Sequence, residues 1–417
     1  MKILLINMYF SDKYPTGVNP IVFGTYRTLR EKGEEVFVYA HDVKPYIDED
    51  YPYTKFFPKS TFIWDVEQTK ENKKIYLRNM VYNSEAEKNL GEMLDEIKPD
   101  LVHIHTAWNM SFSILKPIKK RKIPVIFTVH DIQIFCPTIF SIGLNYCSDC
   151  RGYNTLPCLF KKCKGTYLKS AFYSIKSFTE RVLGSQRDID LYIAVSEATK
   201  QYMTKSGIKE SKIRVLPNFA NNEMVKSAEN YEPKYGDFFF YAGGAGKIKG
   251  IETLLEAIKQ LPKDICFHIA GGGDYERITE FIKNNNLQNV RISGPLTREQ
   301  MEEEYKNCLC VLMPSECFET MGMINVEGAI FSKPSISSNI GGLSDVVENE
   351  KTGLLFEPAN SEQLKECVLR YWKNKDLAVE HGKQAREKVL KVYREDLYFE
   401  KLLEIYKEVI NTKRGKK

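Results

Sequence analysis

Short apolar runs alternate with amphipathic stretches in two successive series along this chain, and this alternation restricts the fold more than any other feature. Runs such as residues 2–8 and 123–130 are rich in Ile, Val and Leu without polar alternation, which is typical of strands buried on both faces. The first series ends near residue 217, a polar stretch covers 221–235, and a second series starts at 238. The pattern predicts an α/β protein with two doubly wound, Rossmann-like parallel-sheet domains, and ligand sites at the carboxyl ends of the strands.

The length of 417 residues also favours two domains, because one hydrophobic core rarely grows beyond about 250–300 residues. We predict a first domain over residues 1–222 and a second over 223–395. Residues 396–417 would then form a last helix and a basic tail. A continuous helical pattern runs over 383–412, and we expect it to pack back across the cleft onto the first domain.

The charge balance restricts the class of partner. A formal net charge of +5, from 60 basic and 55 acidic residues, argues against a nucleic-acid partner. The sequence has no run of about 18 apolar residues, and its start predicts a strand rather than a signal peptide, so we expect a cytoplasmic protein. Basic clusters at 119–122, 161–164 and 413–417 are either solvated surface or a means of attraction to anionic lipid headgroups.

Ten cysteines in a chain expected in a reducing compartment do not indicate a disulfide framework. Five of them fall within a Cys-rich loop at 136–163 that begins with Cys136. Four have a C-x2-C-x7-C-x4-C spacing, and short paired spacing is typical of structural zinc sites. A zinc site, a set of free thiols and a redox pair all remain open for these four residues, Cys147, Cys150, Cys158 and Cys163.

Two glutamates eight positions apart mark the strongest candidate site. Glu319 lies in the loop after an apolar strand at 309–313, and Glu327 lies in the second turn of a short helix predicted over 322–331. The first N–H groups of such a helix have no intrahelical acceptor and can bind an anion; they belong to Gly322, Met323 and Ile324. Two carboxylates flanking an anion site suit a nucleoside-diphosphate sugar, which has a diphosphate between two hydroxyl-rich sugars.

Two glycine-containing loops and one histidine supply further candidate groups. Gly17 precedes the first helix, and a second loop carries Gly243, Lys247 and Lys249, where the backbone can approach a phosphate and the lysines can neutralise it. This second loop is not a Walker motif or a strict G-x-G-x-x-G, which disfavours an ATPase or a hydride-transfer enzyme. His130 ends an apolar strand, where it either contacts a sugar or has a purely structural role.

Two other patterns receive less weight. His103 and His105 lie two positions apart on a strand and point to the same side, and we favour structural roles over metal ligation. Asp48 and Asp50 form a D-x-D, a pattern that holds divalent ions in other sugar transferases. They lie in an irregular stretch, 46–83, that we interpret as an insertion.

Several segments together resemble the retaining glycosyltransferases of family 4, which have the GT-B fold of two domains facing a cleft. The Glu319-x7-Glu327 spacing is similar to the most specific signature of that family, and the resemblance covers nearly the whole chain. The other matching segments are Pro-Asp-Leu-Val-His-Ile-His at 99–105, Thr-Val-His-Asp at 128–131 followed by Cys-Pro at 136–137, Ala-Val-Ser-Glu at 194–197, Gly-Gly-Leu-Ser-Asp at 341–345 and Lys-Thr-Gly-Leu-Leu at 351–355.

The resemblance implies a role for each candidate residue. Glu327 would bind the donor ribose and Glu319 the transferred sugar, while Lys249 and the N–H groups at the start of the helix would hold the diphosphate. Gly17 would lie against the phosphates from the first, acceptor-side domain, and His130 would touch the sugar and stabilise the transition state. Such enzymes need no metal for catalysis.

Two positions depart from the family pattern. Gly244 stands where the family usually has an arginine, so that Lys247 would have to supply the missing charge. Asp345 replaces the usual glutamate after the paired glycines.

We therefore predict a retaining glycosyltransferase that moves a hexose-type sugar from a nucleoside-diphosphate sugar to a hydroxyl of a saccharide acceptor. The acceptor would be lipid-linked in cell-surface polysaccharide biosynthesis, and the enzyme peripheral on the inner face of the cell membrane, with residues 167–183 against the lipid. The alternatives are another GT-B enzyme, such as a sugar-nucleotide epimerase, and a zinc-containing nucleic-acid adaptor.

Overall fold

The computed structural model describes residues 1–11, 17–44, 51–62, 65–138, 147, 149–273 and 275–415. These residues form two six-stranded sheets in which every strand pairing is parallel. The predicted α/β class with two parallel-sheet domains is confirmed. Asp48 and Asp50, the D-x-D pair, lie outside the described residues.

The first sheet has the strand order β2-β1-β3-β4-β5-β6. Its strands are almost fully buried, which explains why their sequences lack polar alternation. The strands are β1 (Lys2–Ile6), β2 (Glu35–Tyr39), β3 (Leu101–Ile104), β4 (Val125–Val129), β5 (Leu191–Ala194) and β6 (Ile213–Val215).

Five of the eight described α-helices of the first half start at a polar side chain that caps a free N–H group, whereas the other three have no side-chain cap. Asn83 accepts from Ala86 N and Ser196 accepts from Thr199 N, as the sequence of each helix start requires. The helices are α1 (Asn19–Glu31), α2 (Lys70–Val81), α3 (Ser84–Ile97), α4 (Leu115–Lys120), α5 (Leu156–Phe160), α6 (Tyr167–Val182), α7 (Glu197–Lys205) and α8 (Asn222–Ser227).

The second sheet has the strand order β12-β11-β10-β7-β8-β9. Its strands are β7 (Phe238–Ala242), β8 (Cys266–Ala270), β9 (Val290–Ser293), β10 (Cys310–Met313), β11 (Ser335–Ser338) and β12 (Gly353–Phe356). Its helices are α9 (Ile251–Lys259), α10 (Tyr275–Asn284), α11 (Arg298–Asn307), α12 (Met323–Ile330), α13 (Leu343–Val346), α14 (Ser361–Lys373), α15 (Lys375–Val392) and α16 (Glu395–Arg414).

The structure divides the helical pattern over 383–412 between α15 and α16, so one unbroken helix there is wrong, whereas α16 begins next to the start predicted for the last helix at 396. The break falls at Tyr393 and Arg394, where Ala220 N of the interdomain segment donates to Tyr393 O (2.7 Å). This hydrogen bond ties the end of α15 to the interdomain segment, and α16 begins at Glu395. Beyond the break, Phe399 and Tyr406 of α16 are fully buried in the core of the first domain.

Within the described part of the chain, no helix is both long and apolar enough to cross a bilayer.

Candidate active site

Glu319 lies in the loop that follows β10, and an ion pair and a hydrogen bond hold its carboxylate in place. Lys249 Nζ is 2.6 Å from Glu319 Oε1, and Ser315 Oγ donates to the same oxygen (2.7 Å). Burial opposes the charge on Lys249, but the Glu319 carboxylate outweighs it and raises the lysine pKa. The lysine therefore stays charged beside a carboxylate at the carboxyl end of the second sheet.

Two glycines allow this loop to pack as closely as it does. Gly341 has a φ of 58°, and a Cβ there would collide with the Glu319 carbonyl oxygen, while Gly342 N donates to that oxygen (2.7 Å). The paired glycines thus fix the backbone that carries Glu319, which gives a physical reason for the Gly-Gly segment.

Glu327 lies in the second turn of α12, as predicted. Tyr305 Oη donates to Glu327 Oε2 (2.8 Å), and burial raises the pKa of the carboxyl group. At the start of the same helix, Gly322 stands in the capping position, where it has no side chain to bond the first N–H groups. The N–H groups of Met323 and Ile324 therefore have no side-chain acceptor at the helix start, where an anion would satisfy them.

His130 ends β4 and forms the opposite side of the site. Its ring stacks on His105 at 5.3 Å between centroids, and a hydrogen bond joins His105 Nδ1 and His130 Nε2 (3.0 Å). His103, behind them, bonds Thr128 Oγ1 and Tyr406 Oη (both 2.7 Å). Burial lowers the pKa of His103 and of His130 to about 3. At neutral pH the His130 imidazole therefore offers a hydrogen bond and not a positive charge.

The two sides meet directly. Thr320, next to Glu319 in the chain, donates from Oγ1 to His130 O (2.7 Å), and Thr199 Oγ1 donates to Thr320 O (3.2 Å). Asp345, the departure from the family pattern, accepts from Ala198 N (3.0 Å) across the same junction. The structure thus brings Glu319, Lys249, the start of α12 and His130 into one site at the carboxyl ends of both sheets.

Gly17, Gly243 and Lys247 are the remaining candidates. Gly17 is exposed just before α1, and a Cβ there would meet no atom of the described residues within 4 Å. Gly243 N donates to Ala270 O (2.9 Å), so the glycine loop stays close to β8. Lys247 is largely exposed and its ammonium lies 3.8 Å from Glu252 Oε2. Lys249, not Lys247, is thus the lysine of this loop that faces Glu319.

The described cysteines of the 136–163 loop lie near one another. The thiols interact electrostatically with one another, and burial raises the pKa of Cys150 to about 11 and of Cys158 to about 12, which disfavours thiolates. Among the described residues, no set of three or more His, Cys, Asp or Glu side chains is placed to hold a metal ion. The zinc site suggested for Cys147, Cys150, Cys158 and Cys163 stays a prediction.

The buried histidines predict that the fold loses stability as pH falls. His103 is neutral when folded, with a pKa of about 3, whereas an unfolded histidine takes up a proton near pH 6.5. The unfolded state thus binds more protons between these values, and each such histidine costs about 1.4 kcal/mol of unfolding free energy per pH unit below 6.5. We expect the melting temperature to drop from pH 7 to pH 5 in thermal unfolding experiments.

Buried carboxyl groups with raised pKa values, such as Glu327, act in the opposite sense, so the histidine contribution is best measured as a difference. His103→Gln cannot titrate and should flatten the dependence of melting temperature on pH. Equal slopes for the wild type and His103→Gln would contradict the assignment.

Comparison with solved structures defines the class of fold. Sucrose-phosphate synthase from Thermosynechococcus elongatus superposes with a TM-score of 0.71, at 16% identity over 99% of both chains. The Anabaena protein HepE in complex with UDP superposes with a TM-score of 0.69, at 15% identity, covering 98% of this chain and 100% of that one. At this level of identity the likeness establishes the fold alone, which is the GT-B architecture.

Comparison with family profiles and curated sequences identifies the family. Residues 15–223 match Glycosyltransferase Family 4, and residues 224–388 match Glycosyl transferases group 1. The chain belongs to Glycosyltransferase Family 4.

Two relatives illustrate the range of the match. An uncharacterized glycosyltransferase of Methanocaldococcus jannaschii is 31% identical over 48% of this chain and 54% of its own length. The O-antigen chain mannosyltransferase C of Escherichia coli is 25% identical over 53% of this chain and 60% of its own. The chain thus spans between half and two thirds of the length of these two relatives.

Proposed function

We propose that this chain transfers a hexose-type sugar from a nucleoside-diphosphate sugar to a hydroxyl of a saccharide acceptor, with retention of the anomeric configuration. The observation that carries the proposal is the arrangement of the second-domain groups opposite His130. The charged Lys249 pairs with Glu319, and the N–H groups of Met323 and Ile324 belong to the helix start that lies between Glu319 and Glu327 in the chain. A ligand with a diphosphate in its middle and a sugar at each end matches this order of charges.

The transfer reaction depends on stabilising the negative charge of the leaving group. As the bond from the sugar to the diphosphate breaks, negative charge grows on the departing phosphate oxygen. Lys249 and the N–H groups of α12 are fixed before the reaction, so they favour that charge more than they favour the substrate. His130, neutral at pH 7, would bond a sugar hydroxyl and help to orient the ring. Because these groups are already positive, we propose that no metal is needed, and full turnover in the presence of EDTA would support this.

The acceptor is proposed from the relatives and from the position of the site. The chain is similar to the O-antigen chain mannosyltransferase C of Escherichia coli, and we propose that it likewise extends a saccharide of the cell surface, presented on a lipid at the membrane. A transferase should release nucleoside diphosphate faster when a saccharide acceptor is added, and proton NMR of the product would give its anomeric configuration. If the acceptor does not change the rate of nucleoside diphosphate release, a sugar-nucleotide epimerase is favoured instead.

Thermal-shift measurements with UDP, GDP, ADP and CMP side by side test the donor site. One of the diphosphates should raise the melting temperature, because a ligand at 100 times its dissociation constant adds about 2.7 kcal/mol of stability. For a protein of this size, that corresponds to a shift of roughly 3 °C. CMP, which lacks a diphosphate, serves as the control. No shift with any of the four would contradict the proposed donor site.

A further inference from the structure

Helix α6 has the opposite orientation to that of a typical surface helix. Its large apolar side chains face the solvent, with Leu168 83% and Ile175 60% exposed, and Phe178 and Val182 nearly half exposed. The residues recur at intervals of three, four and seven, so they form one stripe along the helix. A surface helix in a globular protein normally turns such a stripe towards the core.

The opposite face of α6 is polar, charged and buried. Lys176, Glu180 and Arg181 are each at most 3% exposed. Lys176 Nζ donates to Glu180 Oε1 (2.7 Å), and Arg181 donates to the backbone oxygens of Phe135 (2.9 Å) and Cys150 (3.0 Å). Rotating α6 about its axis to bury the apolar stripe would break these buried hydrogen bonds and this ion pair. The fold therefore fixes the stripe on the solvent side.

The stripe is part of a larger surface. Of the ten exposed large hydrophobic side chains among the described residues, eight lie between positions 153 and 182, and the other two are Leu77 and Val392. We call these eight the apolar surface; they are Tyr153, Leu156, Phe160, Tyr167, Leu168, Ile175, Phe178 and Val182. An exposed cluster of this kind marks an interaction site in a folded protein.

The charges around the apolar surface are positive. Lys162 and Lys169 are exposed beside it, Lys161 is exposed and pairs with Asp149, and the only acidic residue between 150 and 183 is the buried Glu180. Helix α2, which packs beside α6, adds exposed basic residues at Lys73, Lys74 and Arg78. Flanking lysines around aromatic and aliphatic side chains are the pattern of a helix that lies in an anionic membrane interface.

We infer that α5 and α6 dock the protein onto an anionic phospholipid surface, with the apolar surface in the headgroup layer and the lysines on the lipid phosphates. The inference extends the proposed function, on which it rests for the idea that the acceptor is lipid-linked. Docking here would bring the site to the membrane, because Arg181 bonds the segment that follows His130 and Gln133 Nε2 lies 3.5 Å from Glu180 Oε1.

A second copy of the chain is a poorer occupant of this surface. A two-fold dimer would place the same patch on both sides of the interface, so lysines would face lysines. Like charges across an interface oppose association, whereas an anionic bilayer complements them.

Co-sedimentation of the full chain with vesicles tests the inference. The wild type should bind phosphatidylglycerol-containing vesicles, bind pure phosphatidylcholine vesicles weakly, and dissociate in high salt. The triple variant Leu168→Glu/Ile175→Glu/Phe178→Glu should lower binding about tenfold or more, because each change removes apolar contact and adds repulsion. Val392→Glu, at an exposed apolar residue far along the chain, is the matched control and should bind like the wild type.

Each outcome separates docking from catalysis. The melting temperature and the shift produced by the nucleoside diphosphate should be the same in all variants, which shows that they fold and that the donor site is intact. Unchanged vesicle binding by the triple variant, or no binding by the wild type, would overturn the docking surface and leave the proposed transfer reaction standing. A dimer that the triple variant abolishes in light scattering would assign the surface to a second copy instead.

Discussion

Glu319→Gln should lower kcat by about 10²–10³ while changing the affinity for the nucleoside diphosphate much less. The substitution keeps the shape and hydrogen bonding of the side chain but removes the charge that lies 2.6 Å from Lys249 Nζ. Lys249 is then no longer held in position. A mobile ammonium group stabilises the charge of the transition state less than a fixed one does. Steady-state kinetics at saturating donor, with calorimetric titration of the nucleoside diphosphate, separate the two effects.

The same loop offers a matched control. Glu316 lies three positions before Glu319, and its Oε1 accepts from Thr253 Oγ1 (2.6 Å) rather than from a lysine. Glu316→Gln makes the same chemical change and retains an oxygen that can accept this bond, so its kcat should stay near that of the wild type. Equal losses in the two variants would mean that the loop as a whole, and not the Glu319 charge, supports turnover.

A double-mutant cycle gives the physical cause. Lys249→Met alone should be strongly damaging, because it leaves Glu319 without its counter-charge and removes the cation from the diphosphate. In the Glu319→Gln background the added loss should be smaller, since the pair is already broken. Strictly additive losses would show that the two side chains act independently.

The two-domain fold could be predicted from the sequence because its signal is local and repeated. Buried parallel strands require apolar residues on both faces, so each strand segment shows this pattern in its own sequence. The helical pattern over 383–412 does not show the break between α15 and α16 in this way. The break coincides with a hydrogen bond from Ala220 to Tyr393 O, which joins segments far apart in the chain.

The candidate site was predictable only in part, for the same reason. Motif positions identified Glu319, Glu327 and His130, but not the side chains that hold them, because these come from other elements. Tyr305 reaches Glu327 from the preceding helix, and Thr320 reaches His130 O across 190 positions. No spacing rule in the sequence indicates such contacts.

The histidines near the site and helix α6 mark two further limits of sequence reasoning. The two-residue spacing of His103 and His105 predicted that they share a side of β3, but not that His105 would bond His130. For α6, the periodic pattern cannot itself support the expectation that residues 167–183 lie against lipid, because the same stripe arises whether it faces the core or the solvent. Only the buried partners of Lys176 and Arg181 decide that question.

Glu327→Ala should weaken binding of the nucleoside diphosphate about 10–100-fold, because a carboxylate that bonds a ribose hydroxyl contributes about 1.5–3 kcal/mol. The effect should appear in the dissociation constant, and turnover at saturating donor should fall far less than in Glu319→Gln. The ribose provides a direct test. The wild type should bind the deoxyribose analogue of the diphosphate more weakly than the diphosphate itself, whereas Glu327→Ala should bind both equally.

Tyr305→Phe is the control for a general disturbance of α12. It removes the hydroxyl that donates to Glu327 Oε2 but leaves the carboxylate in the site. Its affinity should therefore lie between those of the wild type and Glu327→Ala, and it should still prefer ribose over deoxyribose. If Glu327→Ala retained that preference while Glu319→Gln lost it, the two glutamates would have exchanged roles, with Glu319 on the ribose and Glu327 on the transferred sugar.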